Sequence, residues 1–370
     1  MAGMQDVNSG QPLLEVLDSS YGSVDVEAAA AASVYIRVRD AREARTEGDE
    51  NASIIPADGV LVQYANITAE VMDANPTWKV IGRYGVGVDT IDLAAASARS
   101  IAVVNVPDYC EEEVATHAAA LVLDANRRIT AADALVRRGE WADWAQLRPI
   151  APLSTATLSL IGVGRIGREV IRLMRPFVGR IIAHDPYAGA IEGVELVDLD
   201  TALAEGDVVS LHLPLSAATH HLIGADAIAR MKPTATLVNV SRGGLVDGAA
   251  LAAALHDGRL ASAALDVLET EPPAADDPLL AAPNTIITNH LAWYSEASEQ
   301  RLRARLAERC AAVLRGRDIP SLVNRQGLAD AAGAASSEAG RHAASVTTET
   351  IGAEAPTEPA TAAVPTLEHS

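Results

Sequence analysis

The chain is short of several residue types, and each shortage narrows its role. Of its 370 residues only two are cysteine, and basic residues number 29 against 49 acidic ones. Cys110 and Cys310 stand far apart and match neither a disulfide framework nor a metal-ligand spacing, which points to a reducing compartment and a cytoplasmic protein. No run reaches the roughly 18 uninterrupted apolar residues of a membrane-spanning helix. The N-terminus has no basic segment leading into an apolar one, so no secretion signal is expected. A formal net charge of −20 argues against nucleic acid or an anionic membrane as a direct partner. Only Lys79 and Lys232 represent lysine, which disfavours a phosphorylated substrate.

What is present is an alternating pattern. From Leu13 to Val106, short apolar runs (LLEVL, SVYIRV, GVLVQ, WKVIGR, IAVVNV) alternate with helical segments such as ITAEVMDAN and IDLAAASAR. That rhythm predicts a parallel α/β sheet. A long helix is expected from Glu111 to Arg128, its three leading glutamates complementing the helix dipole. A second alternating block spans Thr157 to Thr288, with strands TLSLI, RIIAH, DVVSLH, ATLVNV, SAALDV and TIIT. A last helix, Ser295 to Arg315, is expected to return to the first block, making that domain discontinuous. After about Gly327 the composition becomes Ala, Ser, Thr, Gly, Glu and Pro, which cannot bury enough surface to order itself.

The second block opens on SLIGVGRIGREV, which contains Gly162, Gly164 and Gly167 in the spacing G-x-G-x-x-G. Alone the pattern is weak. Here it follows a strand and opens a helix, the context in which the glycines allow a tight turn, close approach of a pyrophosphate and close helix–sheet packing. Arg165 and Ile166 complete the turn, whose amides would face the phosphates. Asp185 ends the next strand about 20 residues on, where a carboxylate binds the adenosine ribose and repels a 2′-phosphate. NAD is therefore the expected cofactor.

Three polar residues follow consecutive strand ends, where open α/β sheets bind their ligands. Arg242 follows ATLVNVS, Glu271 lies in ALDVLETEPP just beyond Asp266, and His290 lies in ITNHLAWYS. Singly, each has a plainer reading: a loop charge, a turn acid before Pro272-Pro273, a loop histidine. Together, beside a dinucleotide motif, they suit hydride transfer. A cation would hold a substrate carboxylate, a histidine would exchange the proton, and an acid would orient the histidine. His220-His221 offers two imidazoles but no third ligand at helical or turn spacing, so no metal is expected. His117 reads as packed or interfacial, and Cys110 as a small buried residue. Trp141 and Trp144 suit packing or a dimer arm.

With these residues in place, the sequence resembles the D-isomer-specific 2-hydroxyacid dehydrogenases, most of all the branch of C-terminal-binding protein and its bacterial relatives. The resemblance runs from about Gly59 to Asn324 on RYGVGVDTID, NVPDYCEEEVATHAAALVL, GVGRIG, HDPY, VNVSRGGLVD, AALDVLETEP and NHLAWYS. It implies two Rossmann/flavodoxin-like parallel-sheet domains with the active site in the cleft between them. The substrate domain would be 1–107 plus 296–326, the NAD-binding domain 108–295, and 327–370 a disordered tail.

The resemblance also implies roles. Arg242 would bind the carboxylate, His290 would donate the proton in reduction, and Glu271 would hydrogen-bond the histidine and favour its charged form. Asp266 would meet the nicotinamide carboxamide. Thr116, His212, Pro214, Thr219, Val240 and Ser241 would line the cofactor. Arg83, Val86, Gly87 and Trp293 would contact the substrate. A homodimer through the NAD-binding domain is expected, acting on a small 2-oxo or 2-hydroxy acid. The alternative is an NAD(H)-sensing, corepressor-like interaction protein. One departure is Asn289, where the family usually has proline before the histidine. Loss of that fixed φ is expected to loosen the His290 loop.

Overall fold

The computed structural model describes residues 10–42, 56–141 and 144–333. They fall into two compact units. The first comprises the described residues up to Tyr84, Val88–Asn105 and those from Leu306 onward, and the second comprises Gly85–Gly87 and Val106–Arg305. No described helix is long and apolar enough to cross a membrane.

The first unit is built on a five-stranded sheet of β1 (Leu13–Val16), β2 (Arg37–Asp40), β3 (Gly59–Val62), β4 (Val80–Arg83) and β5 (Ala102–Val104), ordered β2-β1-β3-β4-β5. Every pairing is parallel. Its helices are α1 (Asp25–Ala32), α2 (Ala69–Ala74) and α3 (Leu93–Ala98). Central strands such as Gly59–Val62 are buried throughout, as a sheet covered on both faces requires. The strand expected in SVYIRV starts later, at Arg37, because Tyr35 takes a left-handed φ of 58° and ends the preceding turn.

The second unit carries a seven-stranded parallel sheet. Its strands are β6 (Thr157–Ile161), β7 (Arg180–His184), β8 (Glu195–Leu196), β9 (Val208–Leu211), β10 (Thr236–Asn239), β11 (Ser262–Leu265) and β12 (Thr285–Ile287). The order is β12-β11-β10-β9-β6-β7-β8. Its helices are α4 (Glu111–Arg127), α5 (Ile129–Arg137), α6 (Arg165–Met174), α7 (Leu199–Glu205), α8 (Ala225–Arg230) and α9 (Gly248–His256). Strand order reverses between β6 and β9, and crossing there leaves the ends of β6, β9, β10 and β11 side by side. β8 escaped the sequence because it is two exposed residues at an edge.

The last long helix, α10 (Glu296–Leu314), is divided between the units at Arg305 and Leu306 rather than assigned whole to the first. Arg301 and Arg305 explain this: Arg301 donates to the Tyr109 carbonyl and to Glu113, and Arg305 to the Asp108 carbonyl. The expected boundary at Gly327 also needs correction. Residues 325–333 are helical, while the rest of the expected tail lies outside the described residues. Composition alone does not show that this helix is anchored through its flank, where Val323 packs on the first unit's core. Arg325 pairs with Asp318, and Asn324 is buried with every side-chain group bonded. Its Oδ1 accepts from the Val103 amide at 2.9 Å, and its Nδ2 donates to Ser97 Oγ and the Ile101 carbonyl.

Asn324→Ala strands the Val103 amide and the Ile101 carbonyl, and a buried polar group left unpaired costs about 1–3 kcal/mol. Denaturant unfolding should show a loss in that range. An unchanged midpoint would mean that the segment after α10 does not support the first sheet.

Candidate active site

Gly162 ends β6 with a φ of +93°, and a Cβ there would lie 2.4 Å from the His212 carbonyl oxygen. The strand-to-helix turn therefore passes against the end of β9 as only glycine allows. Gly164 is the N-cap of α6, which no side chain caps, and a Cβ on it would meet nothing within 4 Å. The first amides of α6 thus face open space at the positive end of a ten-residue helix. That cradle fits a pyrophosphate. Gly167, in the first turn, closes to within a Cβ's reach of the Gly162 carbonyl. Ile166 is half-buried, and Arg165 is largely exposed, near Glu111.

Asp185 stands at the tip of β7. Its Oδ2 accepts from the Val163 amide and its Oδ1 from the Tyr187 amide, each at 2.9 Å. Burial alone would raise this carboxyl, but the backbone N–H groups outweigh it and hold it below the ordinary range. An ionised carboxylate is thus fixed beside the glycine turn. His212, just past β9, donates or accepts through Nε2 with Ser210 Oγ at 2.8 Å. Burial pushes its imidazole down to about 4, so it presents an uncharged ring. The hydroxyls of Thr219 and Thr116 are engaged locally, with the Pro214 carbonyl and with the Glu112 and Glu113 carbonyls. Val240 is buried, and Ser241 Oγ donates to the Leu211 carbonyl at 2.7 Å.

The turn after β10 explains why glycines follow Arg242. A Cβ on Gly243 would sit 1.9 Å from the Leu268 carbonyl carbon and oxygen. The Arg242 turn and the loop leading to Glu271 therefore lie backbone on backbone. Asn239, fully buried, clamps the turn from below. Its Nδ2 donates to the Arg242 carbonyl at 2.9 Å and its Oδ1 accepts from the Ser241 amide at 3.0 Å. The guanidinium itself is half-buried, with Nη1 donating to the Ser241 carbonyl.

Glu271 and His290 meet directly. His290 Nδ1 lies 2.6 Å from Glu271 Oε2, and Glu271 Oε1 accepts from the Leu268 amide at 2.9 Å. Burial would raise the Glu271 carboxyl. The His290 hydrogen bond and charge, the Leu268 amide and the Arg242 charge together hold it below its ordinary range. A carboxylate accepts, so Nδ1 carries the proton of this contact and Nε2 is left for another partner.

His290 has a left-handed φ of 56°, which costs a non-glycine residue about 1–2 kcal/mol. Asp266 holds it there. The Asp266 carbonyl accepts from the His290 amide at 2.8 Å. Its carboxylate, buried to 1% exposure, accepts from the Leu291 amide, the Ala292 amide and the Thr288 hydroxyl. The loop that lacks the usual proline is tied by these four bonds, against the looseness expected from Asn289. Both Asp266 oxygens are thus committed to the loop. His117, passed over in the sequence, reaches this network from α4, its Nε2 3.1 Å from Thr288 Oγ1 and 3.4 Å from Asp266 Oδ1.

Trp293 follows, half-buried, stacked at a tilt on Tyr109 with ring centroids 6.1 Å apart. Glu113 receives Ser295 Oγ at 2.7 Å and Arg301 at 2.6 Å, a tie the three-glutamate pattern did not disclose. Burial pushes the Cys110 thiol up to about 12, ahead of any effect of its glutamates, so it is no nucleophile. Val86 and Gly87 lie in the second unit's short 85–87 segment, and Arg83 closes β4 of the first.

A parallel sheet with a glycine turn, a strand-end carboxylate and an acid–histidine pair defines a nucleotide-binding oxidoreductase domain. Comparison with known proteins makes this specific. The model for the D-isomer specific 2-hydroxyacid dehydrogenase NAD-binding domain matches residues 119–292. The chain is 41% identical over 266 residues to a glyoxylate reductase of Korarchaeum cryptofilum, covering 70% of this chain and 80% of that one. It is 42% identical over 263 residues to a D-3-phosphoglycerate dehydrogenase of Methanocaldococcus jannaschii, but spans only half the length of that relative. Among solved structures, the TT0316 protein of Thermus thermophilus superposes with a TM-score of 0.73 at 35% identity, covering 84% of this chain and 99% of that one. A D-lactate dehydrogenase of Lactobacillus jensenii, solved with NAD+, gives 0.70 at 29%, covering 85% and 100%. This chain belongs to the D-isomer-specific 2-hydroxyacid dehydrogenase family, and its cofactor is NAD.

Because Asp185 is held ionised, a 2′-phosphate would face a fixed negative charge. Asp185→Ser should narrow the preference for NADH over NADPH by roughly tenfold or more, about 1.4 kcal/mol per decade. Dissociation constants for the two cofactors check this, and a wild type that binds both equally would contradict it.

Proposed function

We propose that the protein reduces a small 2-oxo acid to its D-2-hydroxy acid with NADH, and catalyses the reverse with NAD. One observation carries the reading: the 2.6 Å contact of His290 Nδ1 with Glu271, beside the Arg242 turn. Glu271 keeps His290 oriented through Nδ1, so Nε2 delivers the proton to the carbonyl oxygen in reduction and removes it in oxidation. Arg242 binds the substrate carboxylate, a task for which its planar fork suits it. NADH, when bound in the cradle at Gly162–Gly167, supplies the hydride.

Arg83, Val86, Gly87 and Trp293 are assigned to substrate recognition, and Thr116, Pro214, Thr219, Val240 and Ser241 to the cofactor's surroundings. Similarity to a glyoxylate reductase, together with only two lysines in the chain, supports a small unphosphorylated acid such as glyoxylate or pyruvate. The Ala292-Trp293-Tyr294-Ser295 segment supports a place near the bacterial relatives of C-terminal-binding protein. The intact acid–base pair favours turnover over NAD(H) sensing alone. Exposed Ile129, Val136, Trp141 and Ile150 on one stretch of the second unit support a homodimer through that unit.

The proton decides the test. Glu271 is held below the ordinary carboxylate range, so it stays ionised through neutral pH and loses its charge only as pH falls below that range. Reduction consumes a proton and oxidation releases one, so kcat/KM for reduction should fall as pH rises. Oxidation should rise over the same window. Glu271→Gln removes the charged acceptor that orients the His290 ring and should lower both profiles. His290→Ala should cost on the order of 10²–10⁴-fold and flatten them. The same pH trend in both directions, or a wild-type profile in His290→Ala, would remove His290 from the role.

A further inference from the structure

The sequence shows two adjacent histidines without a third ligand nearby. The fold supplies one from 48 residues downstream: Glu269 Oε1 lies 2.7 Å from His221 Nε2. The same oxygen lies 3.8 Å from His220 Nε2, and the three donor atoms all fall within 4.8 Å of one another. We propose that His220, His221 and Glu269 form a binding site for a divalent transition metal of the zinc class.

Adjacent residues in an extended chain point to opposite sides. These two do not. His221 takes a left-handed φ of 51°, and the two imidazole rings stack 3.9 Å apart at 24°. The conformation is costly for a non-glycine residue, and it is pinned by the His221 amide donating to the Gly244 carbonyl at 2.8 Å. An ordinary ion pair of His221 with Glu269 accounts for the shorter contact. It gives no reason for His220 to fold over its neighbour and bring its Nε2 toward the same oxygen.

The dimensions suit a metal. Zinc–nitrogen and zinc–oxygen bonds of about 2.0–2.1 Å in a tetrahedron put donors about 3.4 Å apart. The observed 2.7 and 3.8 Å bracket that separation, so small side-chain rotations equalise them. Two imidazoles and one carboxylate are a donor set of three-ligand zinc sites, with water in the fourth position. His220 and Glu269 are about half exposed, leaving that position open to solvent. Calcium and magnesium prefer all-oxygen sets and are disfavoured.

The placement gives the site a consequence. Glu269 lies on the backbone that covers Gly243, two residues before Glu271, while the histidines lie beyond β9. A bound metal cross-links these two loops while using none of the residues assigned to chemistry. Its test is therefore independent of the dehydrogenase reading, because it is read without turnover.

The full-length chain, stripped with a chelator, should bind one Zn²⁺ per chain in calorimetric titration, with a rise in Tm on saturation. Co²⁺ should give the visible absorption of tetrahedral coordination. His220→Ala, His221→Ala and Glu269→Gln should each weaken Zn²⁺ binding by at least about tenfold, the least that losing even an outer partner costs a metal site. His256→Ala, at an exposed histidine ending α9, should bind as the wild type does. Absence of saturable binding overturns the proposal. So does wild-type affinity in His220→Ala, which would leave only a His221–Glu269 pair.

Discussion

The Asp266 carboxylate is the interaction on which the candidate site depends. It is buried at the end of β11, and each oxygen is spent on the neighbouring chain: the Thr288 hydroxyl, the Leu291 amide and the Ala292 amide. With its carbonyl on the His290 amide, Asp266 fixes a residue in a backbone region that L side chains avoid. The strain is local and the compensation is local. A proline before the histidine would restrict φ covalently. Here hydrogen bonds to a single buried acid do the same work from the adjacent strand.

From that point the geometry propagates across the strand ends. His290 meets Glu271, whose second oxygen is held by the Leu268 amide, and the Leu268 carbonyl lies against Gly243. Gly243 follows Arg242, whose carbonyl is held by Asn239. The cation, the acid and the histidine are thus set by one run of backbone contacts over three consecutive strands. Flexible side-chain reach plays a small part, which is what a site needing tight positional tolerance requires.

Much of this was legible in the sequence because it depends on local signals. Strand, glycine turn, helix and terminal acid occur within about thirty residues and need no tertiary information. Arg242, Glu271 and His290 stood out because charged residues at the ends of apolar strands have few structural uses. What escaped depends on long-range partners. Asn239 reads as a blemish in an apolar strand, and only the turn above it shows its purpose. Asp266 is expected at the cofactor from its motif, and only the fold shows that its oxygens also hold a loop more than twenty residues on. Glu269 and His220-His221 meet across 48 positions, and Glu113 meets Ser295 and Arg301 across the length of the second unit. Residues 327–333 read as tail under a compositional rule that weighs apolar content and overlooks a well-placed asparagine.

The central claim is that these strand-end residues support hydride transfer to the 2-carbon of a small oxo acid, with the D product. The most direct measurement is the fate of deuterium when pyruvate is reduced with NADH carrying deuterium at both C4 positions of the nicotinamide. The account predicts lactate carrying the label on C2, in the D configuration, formed far more slowly by Arg242→Ala. Unlabelled lactate, an L product, or an undiminished rate of labelled lactate in that variant would contradict it.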